Sequence, residues 1–193
     1  MVFLGCGDAL TTRGAVSPFS GSSCRSQSLR TCPHQGAGDE FSPLDVGGLL
    51  RDAVEITRTR WENDARARGL SYDVSLDAGC TLHTRGNASE LREVFVNLIV
   101  NAIDPMPDGG GLSCRCRRAG ANLQLLFEDT GAGMTEDVRA RIFEPFFTTK
   151  GIYGTGLGLF VSYGIVERHR GRVAVESSRG RGTTFTVELP LVE

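Results

Sequence analysis

The chain has 193 residues, 40% of them hydrophobic and 23% charged, with a formal net charge of -2. That length and apolar content suit one globular domain with a core and an added tail. The charge balance argues against a polyanion-binding surface, and "RCRR" at 115 to 118 reads as a solvated strand face, so no nucleic acid is expected as a partner. No run of about 18 apolar residues encodes a bilayer span, and "MVFLGC" lacks the regions of a signal peptide. A cytoplasmic protein without membrane contact is therefore expected.

Residues 1 to 40 are rich in Ser, Gly, Thr and Arg and show neither helical nor strand periodicity. Such a segment buries too little surface to offset its ordering entropy, so disorder is expected there and a folded domain over 41 to 193. From Phe41 the pattern changes. Leu49, Leu50, Ala53, Val54, Ile56 and Trp61 fall near helical spacing, and Gly69 offers a stop. "LSYDVSL" and "CTLHTRG" alternate as short strands.

Asn87, with Glu90 three residues on, has the form of a capping box. Leu91, Val94, Phe95, Leu98, Ile99 and Ala102 then mark one face of a strongly amphipathic helix that Pro105 ends. Two alternating runs, "GLSCRCRRAG" and "NLQLLFEDT", predict an antiparallel hairpin turning at "AGAN". A short helix near 135 to 143, a helix near 156 to 169, and strands in "GRVAVESS" and "GTTFTVELP" complete the chain. Helices mixed with mainly antiparallel strands predict an α+β fold, a two-layer sandwich.

Cys6, Cys24, Cys32, Cys80, Cys114 and Cys116 contain no C-x-x-C, and no histidine stands at a zinc-ligand offset from them. Neither a metal centre nor a disulfide is expected from them.

Three stretches carry candidate chemistry. Glu93, Asn97 and Asn101 are spaced i, i+4 and i+8, one polar line beside the apolar stripe. Amide oxygens are hard neutral donors of the kind Mg²⁺ takes, with phosphate oxygens completing its shell; a solvated stripe is the plainer alternative. In "EDTGAGM", Asp129 ends a strand, with Gly131 and Gly133 placed to let backbone approach a planar ligand. A carboxylate there would accept a hydrogen bond from an exocyclic amine; a simple turn is the alternative. The third stretch is "KGIYGTGLGLF". It is neither a P-loop, since Lys150 precedes the glycines, nor a dinucleotide fingerprint, since Gly154, Gly156 and Gly158 alternate strictly. If Thr155 caps a helix starting near Gly156, the free N–H groups and the dipole make an anion site.

In this order and spacing the chain resembles the GHKL (Bergerat-fold) ATPases, and among them the catalytic ATP-binding domain of bacterial sensor histidine kinases. "ELREVFVNLIVNAID" is similar to the N box, "DTGAGM" to the G1 box, "IFEPFFTTK" to the F box and "GTGLGL" to the G2 box. The resemblance covers residues 41 to 193 and is densest from 87 onward. It implies ATP and Mg²⁺ as ligands. Asn101 would hold the metal and Asn97 would stand near the phosphates or their water shell. Asp129 would take the adenine amine, Gly131 and Gly133 would shape its pocket, and Thr183 would support it from the next strand. Phe143, Phe146 and Phe147 would anchor the ATP lid. Lys150 and the segment Gly154, Thr155, Gly156, Leu157 and Gly158 would embrace the β- and γ-phosphates, with Asn97, Asn101 and Lys150 acting in the transfer itself.

The resemblance also implies a partner. A complete kinase carries its phosphorylated histidine on a helical hairpin, and residues 1 to 40 lack the periodicity to form one. His34, His83 and His169 each read as structural or incidental, His169 as a cation at a helix C-terminus. The acceptor would lie on another chain or in an upstream part of a longer protein, and a response regulator would follow it. A non-catalytic module that regulates a partner by lid closure, or a GHKL ATPase that hydrolyses ATP, are the competing functions. The hydrolytic relatives place a glutamate where Asn97 stands, which argues against the last. Three departures stand out: Pro105 in place of a helical alanine, Arg170 where glycine is usual, and Glu93 where glutamine is common, a surface acid rather than a group that orients water.

Overall fold

The computed structural model describes residues 41–193, apart from 80, 152, 153 and 193. The expectations for residues 1–40, with Cys6, Cys24, Cys32 and His34, and for Cys80 lie outside the described residues.

The elements follow in the order β1 (Ser42–Asp45), α1 (Val46–Arg68), β2 (Tyr72–Asp77), β3 (His83–Gly86), α2 (Ala88–Ile103), β4 (Gly110–Ala119), β5 (Asn122–Asp129), α3 (Glu136–Arg141), α4 (Gly158–Arg168), β6 (Arg172–Ser177) and β7 (Thr183–Pro190). Five strands form one sheet in the order β2-β4-β5-β7-β6, in which only β2 and β4 run parallel. β1 and β3 pair separately, antiparallel. The β4–β5 hairpin turns where the sequence places it, with Ala119 opposite Asn122 and Gly120 at φ 64°.

Alternation along each strand sends one set of side chains inward. Leu112, Cys114 and Cys116 of β4, Leu123, Leu125 and Phe127 of β5, and Phe185, Val187 and Leu189 of β7 are buried. They face Leu50 and Ala53 of α1, the stripe of α2, and Ile165 and Val166 of α4 in one core. The opposite face is polar: Arg115 pairs with Glu128, and Gln124 donates to Glu188 Oε1 at 3.0 Å. This is the two-layer α+β sandwich. Cys114 is a core thiol whose pKa burial pushes up to about 12, which leaves it inert at neutral pH.

Some local readings change. In α1 the buried stripe passes through Thr57, not Ile56, which is exposed. Thr57 tolerates burial because its Oγ1 donates to the carbonyls of Ala53 and Val54 one turn back. Gly69 ends the helix in the left-handed region, as its position suggests. Segment 42–45, too short to show alternation, is a strand because β3 offers it a partner. No helix among the described residues is long and apolar enough to cross a membrane.

Candidate functional site

Helix α2 is built as its pattern dictates. Leu91, Val94, Phe95, Leu98, Ile99 and Ala102 are all essentially inaccessible to solvent. Asn87 Oδ1 accepts the N–H of Glu90 at 3.1 Å, but the reciprocal half of the capping box is absent. The Asn87 N–H goes instead to His169 Nε2 at 3.0 Å, and Glu90 Oε1 pairs with Arg168. His169 Nδ1 lies 2.7 Å from the Ile165 carbonyl, which can only accept. With Nδ1 donating and Nε2 accepting, the ring is neutral. It is a buried staple between the end of α4 and the start of α2, not a helix-terminal cation.

Burying that stripe leaves Asn97 and Asn101 partly exposed at its border, with Glu93 in solvent. Asn97 Nδ2 donates to Ser162 Oγ of α4 at 3.3 Å. The first residue of α4 is equally close: a Cβ on Gly158 would lie 3.9 Å from the Asn97 side-chain carbonyl. Asn97 therefore stands at the N-terminus of α4, where the first-turn N–H groups have no partner within the helix. The helix starts two residues later than the glycine pattern suggests, with Leu157 as its N-cap. Thr155 makes a local turn instead, its Oγ1 accepting from Leu157 N at 3.4 Å. Asn101 Oδ1 accepts from Lys150 Nζ at 3.0 Å, and the same ammonium pairs with Asp104 Oδ2 at 2.5 Å.

The loop before α4 is tied down by backbone. Gly156, at φ 65°, has its carbonyl on Phe146 N at 3.0 Å, and a Cβ there would sit 2.4 Å from the Phe146 carbonyl carbon. Phe146 itself takes φ 66° and exposes its ring, so its main chain, not its side chain, makes the contact. Phe147 and Phe143 are partly buried, the first beneath Arg141 at 4.3 Å and the second against Tyr163.

The third group gathers at the end of β5. Asp129 is 4% exposed. Its Oδ1 accepts from Gly131 N at 2.8 Å and Thr183 N at 3.2 Å; none of the described residues bonds Oδ2. Burial raises its pKa, and the two N–H bonds pull it partly back. Gly133, at φ 63°, runs so close to the next loop that a Cβ would lie 2.1 Å from the Ser178 carbonyl oxygen. Ser177 Oγ, which bonds Met134 N and Thr183 Oγ1, completes the support. This turn is fastened to the end of α2, because Pro105 O accepts the N–H of Ala132 at 3.1 Å and a Cβ on Gly131 would lie 3.1 Å from both Pro105 Cγ and Pro105 O.

The fold thus joins Asp129, Gly131, Gly133 and Thr183 in one cluster, Asn97 with Gly158 in a second, and Asn101 with Lys150 in a third. Sequence reasoning missed Ser162, Ser177 and Asp104. An amphipathic plot does mark Ser162, as a polar residue on the buried side of α4.

The profile of the histidine kinase-, DNA gyrase B-, and HSP90-like ATPase family matches residues 86–193. The chain belongs to this family. It is 47% identical over 104 residues to sporulation kinase E of Bacillus subtilis, a stretch covering 53% of this chain and 14% of that protein. With sporulation kinase A of the same organism it shares 37% over 158 residues, 82% of this chain and 25% of that one. Among solved structures, the nucleotide-free catalytic domain of histidine kinase ThkA superposes with a TM-score of 0.65 at 26% identity, covering 78% of this chain and 95% of that domain. The chain therefore carries the catalytic ATP-binding domain of two-component sensor histidine kinases, and it spans a quarter or less of the length of these two curated relatives.

Proposed function

We propose that residues 41–193 bind ATP with Mg²⁺ and deliver its γ-phosphoryl group to a histidine on a separate acceptor hairpin, on the cytoplasmic side of the cell. The phosphoryl group then passes to a response regulator. The acceptor would be supplied in trans or by another part of a longer protein. The observation that carries this reading is the Pro105 junction, which ties the turn after Asp129 to the end of the helix bearing Asn97 and Asn101.

Asp129 Oδ2 accepts the adenine amino group, while Thr183 and Gly131 hold Oδ1 and so fix the carboxylate plane. Gly131 and Gly133 let main chain lie against the base. The N-terminus of α4, from Leu157 and Gly158, together with Gly154, Thr155, Gly156 and Lys150, receives the phosphates. Mg²⁺ belongs at Asn101 Oδ1. The residues fit it, because Asn101 and Asp104 already present two hard oxygens to one cation, the Lys150 ammonium. A metal held there would supply positive charge to offset that of the phosphates. The protein's own work is positioning, which is most of what phosphoryl transfer needs.

Transfer to a histidine is favoured over hydrolysis by the side chain at 97. An amide cannot take a proton from water, and its Nδ2 is engaged with Ser162. Incubating the chain with γ-labelled ATP and the isolated acceptor hairpin of a similar kinase tests the reading. Label on the hairpin histidine is expected; tight Mg-ATP binding with no label on any hairpin would leave a nucleotide-binding regulatory module instead.

A further inference from the structure

Lys150 is the only lysine of the chain. Its ammonium bridges Asn101 Oδ1, at 3.0 Å, and Asp104 Oδ2, at 2.5 Å, at the end of α2. Asp104 is the C-cap of that helix, with its N–H on Val100 O. Pro105 follows directly and is itself fastened to the turn after β5. On the other side, the Lys150 main chain is fixed by its N–H to Thr148 Oγ1 at 3.1 Å. Among the described residues Asp104 pairs with no other cation.

Asn101 alone offers the ammonium a neutral acceptor. Asp104 supplies the charge that makes the contact worth keeping. A divalent ion at Asn101 would stand within a few ångströms of the same ammonium, and two cations so close repel strongly. We propose that Asp104 is a positioning residue that parks Lys150 on Asn101, so that Lys150 would have to leave Asn101 before that side chain could hold Mg²⁺ with a nucleotide. This rests on the reading of Asn101 as the metal-holding side chain.

A protease specific for lysine reads the contact directly, because it can cut this chain only after Lys150 and only when the side chain leaves Asp104 to enter the protease pocket. The substrate is the nucleotide-free full chain in chelator, as wild type, D104N and D104E. An exposed ion pair of ordinary strength predicts that D104N is cut about two- to fivefold faster than wild type and that D104E is cut at the wild-type rate. Cutting by an arginine-specific protease is expected to be equal in all three. Equal lysine-specific rates in wild type and D104N, equal acceleration of D104E, or a matching rise in arginine-specific cutting would each overturn the proposal. Calorimetric titration of wild type with Mg²⁺-ADP reads the nucleotide site separately: no binding there would defeat the proposed function while leaving the cleavage result to stand on its own.

Discussion

The backbone N–H of Thr183 donates to Asp129 Oδ1 at 3.2 Å across the β5–β7 pair, and Gly131 N donates to the same oxygen at 2.8 Å. One carboxylate oxygen is therefore held by main chain, while Oδ2, with no bond from the described residues, is the one proposed to take the adenine amine. In D129N the amide oxygen can still accept both N–H groups, but its NH₂ would face the adenine amine, donor against donor. ATP affinity should fall about 10- to 100-fold, the worth of a charge-assisted hydrogen bond. Calorimetric titration measures the loss, and an unchanged or higher melting temperature shows that the fold is intact.

The same carboxyl sets a pH dependence. Its folded pKa lies above the ordinary 3.8, with burial the leading cause. Between 3.8 and the raised value the folded chain holds a proton that the unfolded chain has released. Stability from this group is therefore greatest at low pH and declines as pH rises through that window. D129N does not titrate, so its melting temperature relative to wild type should climb as pH rises from below 3.8 toward neutrality. ATP binding needs the ionised form and should disappear, on acidification, at a higher pH than an ordinary aspartate would impose.

Gly133 tests the close packing of the turn after β5. A Cβ would meet the Ser178 carbonyl oxygen at 2.1 Å with φ at 63°. That oxygen is main chain, not the end of a flexible side chain. G133A should destabilise the domain by about 1–3 kcal/mol, the range for a strained backbone position. Chemical denaturation measures this, and the slope should not change.

Arg170 is the reverse case, a non-glycine residue held at φ 57° where α4 turns into β6. The left-handed conformation costs an L-residue about 1–2 kcal/mol, more than the roughly 0.5–1 kcal/mol of chain entropy that glycine gives up. R170G should raise the melting temperature by about 2–4 °C for each kcal/mol gained in a domain of this size.

Much of this architecture is legible in sequence because periodicity is local. The buried stripe of α2, the β4–β5 hairpin and the stop at Gly69 each follow from neighbours within a few turns or a short loop. Contacts between distant segments leave no such trace. Nothing in spacing says that His169 caps the start of a helix 82 positions earlier, that Ser162 meets Asn97, or that Asp104 faces Lys150. The Thr155 cap failed for a related reason: Gly156 is needed in the left-handed region against Phe146, so the helix cannot begin until Gly158. Phe146 shows the limit from the other side, since hydrophobic character predicts a buried ring where the chain uses only the main chain.

An adenine-reading carboxylate coupled to a metal-dependent phosphate site makes nucleotide binding depend on both the base and the metal, which one calorimetric series measures. Wild type is titrated with non-hydrolysable ATP and GTP analogues, each with Mg²⁺ and with chelator. Tight binding of the ATP analogue with Mg²⁺, weakened by chelator, and binding of the GTP analogue at least about 100-fold weaker are predicted, because the guanine carbonyl would face Asp129 acceptor against acceptor. Equal affinity for both analogues, or indifference to Mg²⁺, would contradict the account.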